Sequence, residues 1–229
     1  MQRISLITTE EKRDVAVLIV DKKAGVIGEV LANKLSEELL VVYVSKPRTV
    51  LVRGKRLNSS VDSSKSLIHV PYNAKFPSIP ENAYSYIFII DDGTRITRES
   101  LPKFTEKAEK DNSCLIFVVH IADVNEKLTS RIINNSRIAK IIIYGDVFSK
   151  SSPYDFNTSQ FIINKFIWKA RKFGKIEVMN DGLKKTYPVF LDDVLSGILE
   201  VAFGSQDLHS VFYLFPKHAP TEISLSFDM

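Results

Sequence analysis

The sequence predicts an α/β protein built on a doubly wound parallel sheet, and three observations predict it. Five short apolar runs, Val15–Val20, Leu39–Val44, Tyr86–Ile90, Cys114–Val119 and Lys140–Tyr144, lack the in–out alternation of a half-solvated strand. Segments whose apolar residues recur at helical spacing lie between them. The first two runs are joined by a turn carrying Gly25 and Gly28 that leads directly into such a segment.

The opening unit is the most informative. Val15–Val20 reads as a strand buried on both faces, and Ile27, Val30, Leu31 and Leu35 then mark one helix face before Leu39–Val44 closes a β-α-β unit. In dinucleotide-binding (Rossmann-like) folds this turn holds a pyrophosphate at the helix N-terminus. Gly25 and Gly28 match the last two glycines of G-x-x-G-x-x-G, and Lys22 stands at the first. Lysine there either attracts phosphate by charge or fills the groove with its side chain, and Lys23 beside it leaves both options open. The expected cofactor contacts from this turn are Lys22, Lys23, Gly25, Val26, Ile27 and Gly28. After the second strand, Ser45-Lys46-Pro47-Arg48 offers no acid for ribose hydroxyls. Ser45, Lys46 and Arg48 suit a 2′-phosphate, so NADP is expected over NAD if either binds. An ordinary β-α-β unit with a basic loop and no cofactor fits the same residues.

The remaining elements follow in order. Residues 1–14 end in the charged Glu10–Asp14 patch and read as a short extra strand or an arm. Thr49–Lys65 is polar and aperiodic, a surface loop. Ser66–Val70 reads as a third strand, and the Pro71, Pro77 and Pro80 segment after it cannot form a long helix. Tyr86–Ile90 ends at Asp91 and Asp92, a pair suited to a cation, to a base, or simply to a polar strand exit. A helix with Leu101, Phe104 and Ala108 on one face precedes Cys114–Val119, and one with Leu128 and Ile132 precedes Lys140–Tyr144. Gly145–Pro153 then reads as a loop, and Phe161, Ile162, Lys165, Phe166 and Lys169 as a helix with an apolar and a basic side. Lys175–Met179 reads as a short strand, Asn180–Gly182 as a turn, and Pro188–Val194 as the start of a helix with Asp192 at its N-cap. Val211–Phe215 is the last strand.

Composition narrows the functional classes. With 229 residues, 45% of them hydrophobic, the chain can bury a large core. Its net charge of +4 is scattered, which argues against a nucleic-acid-binding protein. The basic row Lys165, Lys169, Arg171 and Lys172 leaves open an interaction module for an acidic partner. A lone cysteine, Cys114, excludes a disulfide within the chain and fits a reducing cytoplasm, the expected location. The apolar runs are strand-length, so no membrane span is expected, and Met1–Ile7 lacks a signal-peptide core. His69, His120, His209 and His218 show no metal-ligand spacing, and no metal site is expected. His120, ending a buried strand, is the one nearest a cofactor site.

Three segments together resemble the extended short-chain dehydrogenase/reductase superfamily, the NAD-dependent epimerases and dehydratases of nucleotide sugars. Val17–Gly28 is similar to the cofactor turn, Ile141–Phe148 to the sixth strand and the loop over the nicotinamide, and Asp181–Val194 to the segment entering the substrate domain. The resemblance divides the chain into a Rossmann-like domain, 1–148, and a shortened substrate-domain-like region, 149–229, partly packed on it. It also implies hydride transfer assisted by a tyrosine whose phenol is activated by a lysine four residues later. A phenol of ordinary pKa near 10 needs such a cation to act at neutral pH. That pair belongs between the fifth and sixth strands, but His120–Ala139 holds no tyrosine, and the pair reads as absent. Asp91 and Asp92 stand where the family has small apolar residues, facing the pyrophosphate. The substrate-gripping arginine falls on Thr186, which leaves adjacent Lys184 and Lys185 as substrate contacts. The expectation is a degenerate, shortened family member with no catalytic residues, binding a nucleotide or nucleotide sugar or serving as a scaffold. An active NADP-dependent enzyme with relocated catalytic residues is the alternative. An oligomer is compatible with either.

Overall fold

The computed structural model describes residues 15–21, 25–46, 49–52, 55–58, 66–72, 81–91, 100–124, 130, 139–149, 162–178, 181–204 and 211–227. Seven strands form one all-parallel sheet: β1 (Ala16–Asp21), β2 (Leu40–Ser45), β5 (Leu67–Pro71), β6 (Tyr86–Asp91), β7 (Cys114–His120), β8 (Ala139–Tyr144) and β11 (Val211–Leu214). Their spatial order is β11-β8-β7-β6-β1-β2-β5. From β1 the chain moves outward through β2 to β5, then returns to β6 on β1's other side. The winding therefore reverses between β1 and β6, the place where open α/β sheets form a ligand crevice beyond the strand carboxyl ends.

Apolar runs without alternation become central strands because both faces of this sheet are covered. Val17, Ile19, Val41, Tyr43, Phe88, Ile116 and Ile142 pack on one face with α1 (Val26–Leu35). The helix Leu191–Phe203 joins them through Val194, Leu195 and Ile198. The intervening Leu18, Val42, Ile87, Ile89, Leu115, Phe117 and Ile141 pack on the other face with α2 (Ser100–Asp111), through Leu101, Phe104 and Ala108. The doubly wound sheet expected from the sequence is thus the observed one. The strands expected at Val15–Val20, Leu39–Val44, Ser66–Val70, Tyr86–Ile90, Cys114–Val119, Lys140–Tyr144 and Val211–Phe215 each match an observed strand within one residue. α3 (Ile162–Phe173) follows the expected amphipathic segment, and the helix Leu191–Phe203 is α4.

Four local expectations need correction. Thr49–Lys65 is not wholly loop: Thr49–Val52 (β3) and Lys55–Asn58 (β4) pair as an antiparallel hairpin, too short for their sequence to show a strand pattern. The loop expected at Gly145–Pro153 contains β9 (Asp146–Phe148), which pairs in parallel with β10 (Pro188–Phe190), where a helix start was expected. Pro188 supplies no N–H and leads into this short strand, so helix α4 begins only at Leu191. Its N-cap position is Phe190, and Asp192 lies in the first turn beside Asp193, where carboxylates complement the helix dipole without capping. Residues Lys175–Val178 form no strand, and a short helix, α5 (Glu222–Phe227), follows the last strand unannounced. The readings on residues 1–14 and on the Leu128–Ile132 helix fall outside the described residues. Among the described residues no helix is long and apolar enough to cross a membrane, and no His/Cys/Asp/Glu group could hold a metal ion.

Candidate functional site

The crevice side of β1 ends in Asp21, a residue the sequence reading passed over. It is wholly buried, and its Oδ2 accepts the Gly25 N–H at 2.7 Å and the Tyr43 hydroxyl at 3.2 Å. Burial, reinforced by the Asp21 carboxylate, pushes the Tyr43 phenol well above its ordinary value and keeps it a neutral donor. Gly25 is the N-cap of α1 with extended backbone and offers no side-chain cap of its own. Asp21 therefore supplies from the strand an acceptor for the N-cap residue's own N–H, the donor that an N3 side chain serves in a capping box and that Gly28, at N3, cannot serve. A Cβ on Gly28 would overlap the Asp21 carboxylate oxygen and lie 2.8 Å from its Cγ. Gly28 is glycine because helix and buried acid interlock there. The signal available in sequence was an acid ending an apolar strand, four residues before a glycine.

The structure brings part of the predicted cofactor set together. Gly25, Val26, Ile27 and Gly28 form the cap and first turn of α1, the last three buried. Ser45 ends β2 as the register partner of Asp21, and Asp91 ends β6 one residue beyond Asp21's partner Ile90. Ser45 is itself buried, with its hydroxyl 2.7 Å from His69 Nε2. Burial lowers the His69 pKa below its ordinary value. Lys46 is exposed just past the strand. Lys22, Lys23, Arg48 and Asp92 lie outside the described residues.

A second cluster sits at the carboxyl ends of β7 and β8. His120 is buried, and its Nδ1 accepts the Ala122 N–H at 3.2 Å, so in the neutral ring the proton belongs on Nε2. Nε2 lies 3.4 Å from Asp146 Oδ1, within ion-pair range but without a formed hydrogen bond. The other Asp146 oxygen accepts the Tyr187 N–H at 2.8 Å, and the Asp146 N–H donates to the Tyr187 carbonyl at 2.7 Å. Burial works to raise the Asp146 pKa, but His120, the Tyr187 N–H and Lys184 together hold it below the ordinary carboxylate value. The Tyr144 ring meets His120 edge-on, with centroids 5.3 Å apart.

Lys184 and Lys185 are exposed on the stretch leading into β10. Lys184 Nζ reaches Glu222 Oε1 at 3.8 Å, and Lys185 bridges to Thr221. Thr186 is buried and donates through both its N–H and its hydroxyl to the Pro220 carbonyl, at 2.9 and 3.3 Å. It ties down the C-terminal segment.

One reading of the tyrosines needs correction. The Tyr-x-x-x-Lys spacing does occur, as Tyr213-Leu-Phe-Pro-Lys217. Tyr213 stands 64% exposed on β11 and is followed by a bend through Pro216. The pair thus lacks the helical turn that sets residues four apart on one face.

No protein-family profile matches the chain, and no curated protein matches its sequence. Solved structures do match. An epimerase of the methanogen Methanothermobacter thermautotrophicus superposes with a TM-score of 0.66 at 13% identity, covering 99% of this chain and 80% of that one. A dTDP-glucose 4,6-dehydratase of Bacillus anthracis, solved with NAD, gives a TM-score of 0.66 at 12% identity over 93% of this chain and 79% of its own. A UDP-glucose 4-epimerase of Thermotoga maritima, solved with UDP-glucose, gives 0.63 at 14% identity over 93% and 81%. The fold of this chain is that of the NAD-dependent epimerases and dehydratases, at somewhat shorter length.

A dinucleotide bound to that fold presents its pyrophosphate to the N-terminus of the first helix. Here the Gly25 N–H at that terminus is already engaged by a buried carboxylate.

Proposed function

We propose that this chain is a non-catalytic module that keeps the epimerase/dehydratase fold and uses it to bind a nucleotide sugar or to scaffold a partner, without hydride transfer. One observation carries the reading. The Tyr43 phenol on β2 is buried and donates to the Asp21 carboxylate. Tyr144 packs on His120, and Tyr187 packs on Phe215 at 5.0 Å between centroids. A neutral phenol raised by burial and by a neighbouring carboxylate is a poor base, the opposite of what proton abstraction from a sugar hydroxyl requires.

Two solved structures of this fold hold UDP-glucose, which makes a nucleoside diphosphate sugar the first ligand class to test. Lys184 and Lys185, exposed next to the β9–β10 pair, are the cations offered to its phosphates. The test is a thermal-shift series with UDP-glucose, UDP and dTDP-glucose on the wild type and on Lys184→Ala/Lys185→Ala. A ligand bound by the native state alone raises the melting temperature. The expected result is a rise with the nucleotide sugars that the double variant loses. A rise retained in full by the double variant would remove the lysines from the site, and no rise with any of them would leave scaffolding as the function.

A further inference from the structure

We propose that Asp21 acts as an internal anion beneath the N-terminus of α1, engaging a donor there and opposing a cofactor pyrophosphate at that terminus, and thereby closing the chain to dinucleotides. The inference deepens the non-catalytic reading and rests on it, but it concerns binding and not chemistry. Three observations bear on it independently of the missing tyrosine–lysine pair.

The first is occupancy. Oδ2 of Asp21 takes the Gly25 N–H at 2.7 Å, the distance of a charge-assisted bond. A pyrophosphate oxygen would have to compete for this donor. The second is enclosure. Asp21 has no exposed surface, and a second donor, the Tyr43 hydroxyl, reaches the same oxygen from β2 at 3.2 Å. The carboxylate is therefore built into the sheet–helix interface and does not swing in from solvent. The third is complementarity of shape. Gly28 leaves just enough room for this side chain, with the Asp21 Cβ 2.9 Å from where a Gly28 Cβ would stand. The close approach of α1 to β1, which elsewhere in this fold serves packing, here also encloses an acid. A carboxylate beneath the helix terminus opposes the positive potential that makes such a terminus an anion site.

The experiment is calorimetric titration of NAD and NADP into the wild type, Asp21→Ser and Asp21→Asn, with each variant's fold checked by its melting curve. Serine keeps an acceptor for Gly25 without the charge, and asparagine keeps the shape. The proposal expects no measurable binding to the wild type and, in a folded variant, binding at least about tenfold tighter once the repulsion is removed. Folded variants that bind no better than the wild type would overturn it. Should both variants fail to fold, amide NMR of the wild type decides: Gly25 and Gly28 resonances unmoved by either dinucleotide support the proposal, and saturable shifts overturn it. Wild-type binding without turnover would defeat the role of Asp21 and leave the non-catalytic reading standing. Turnover would defeat that reading.

Discussion

At the scale of single residues, the two polar clusters are held by different means. Asp21 is wholly enclosed, with N–H and O–H donors from neighbouring elements, whereas Asp146 faces an imidazole that can carry charge. The Asp146 pKa is lowered below its ordinary 3.8 in the folded chain. A carboxyl depressed by folding adds stability above its ordinary pKa and loses it as pH falls through the folded value. Unfolding midpoints in urea should therefore drop steeply below about pH 4 in the wild type, and Asp146→Asn should flatten that acid limb. The variant should also be less stable at neutral pH, because its amide oxygen is a weaker acceptor than the carboxylate for the Tyr187 N–H. An acid limb unchanged by Asp146→Asn would show that the ion pair does not contribute. Of these residues, Gly25 and Gly28 were legible in sequence because a turn into a helix makes a spacing signature. Asp21 was not, since a single acid at a strand end resembles any polar exit until Tyr43, 22 positions away, is seen to reach it.

Among the elements, apolar runs of five or six residues declared the central strands, and helical spacing declared α1, α2, α3 and α4. What periodicity could not show was pairing. β9 and β10 are three residues each, and the residues they pair, such as Phe148 and Phe190, lie 42 positions apart in the chain. Neither is long enough to carry a pattern, and the contact that makes each a strand is tertiary. The same holds for Asp192, whose place as cap was overruled once Pro188–Phe190 joined β9. The assignment of faces is directly testable on α1 and β2. Leu31 is fully buried between α1 and the sheet, while Leu40 begins β2 with 37% of its surface exposed. Leu31→Ala should cost about 2–5 kcal/mol in chemical denaturation, and Leu40→Ala about 0.5 kcal/mol or less. Similar costs at the two positions would contradict the packing.

For the molecule as a whole, the sheet order β11-β8-β7-β6-β1-β2-β5 sets every candidate group relative to one edge. Alternation of strands and helices predicted a parallel sheet, and the glycine turn marked its first β-α-β unit. The occupant of that turn depended on side chains that converge only after folding. The chain superposes on epimerase and dehydratase structures at 12–14% identity, which shows the fold and leaves chemistry to be measured. The central claim is that this architecture persists here without hydride transfer. The most direct test incubates the purified chain with UDP-glucose or dTDP-glucose and either NAD or NADP, following reduced cofactor by absorbance and sugar products by mass spectrometry. No product above the protein-free control is the predicted result. An epimerised, dehydrated or reduced sugar that forms with the wild type and disappears with His120→Ala would contradict it.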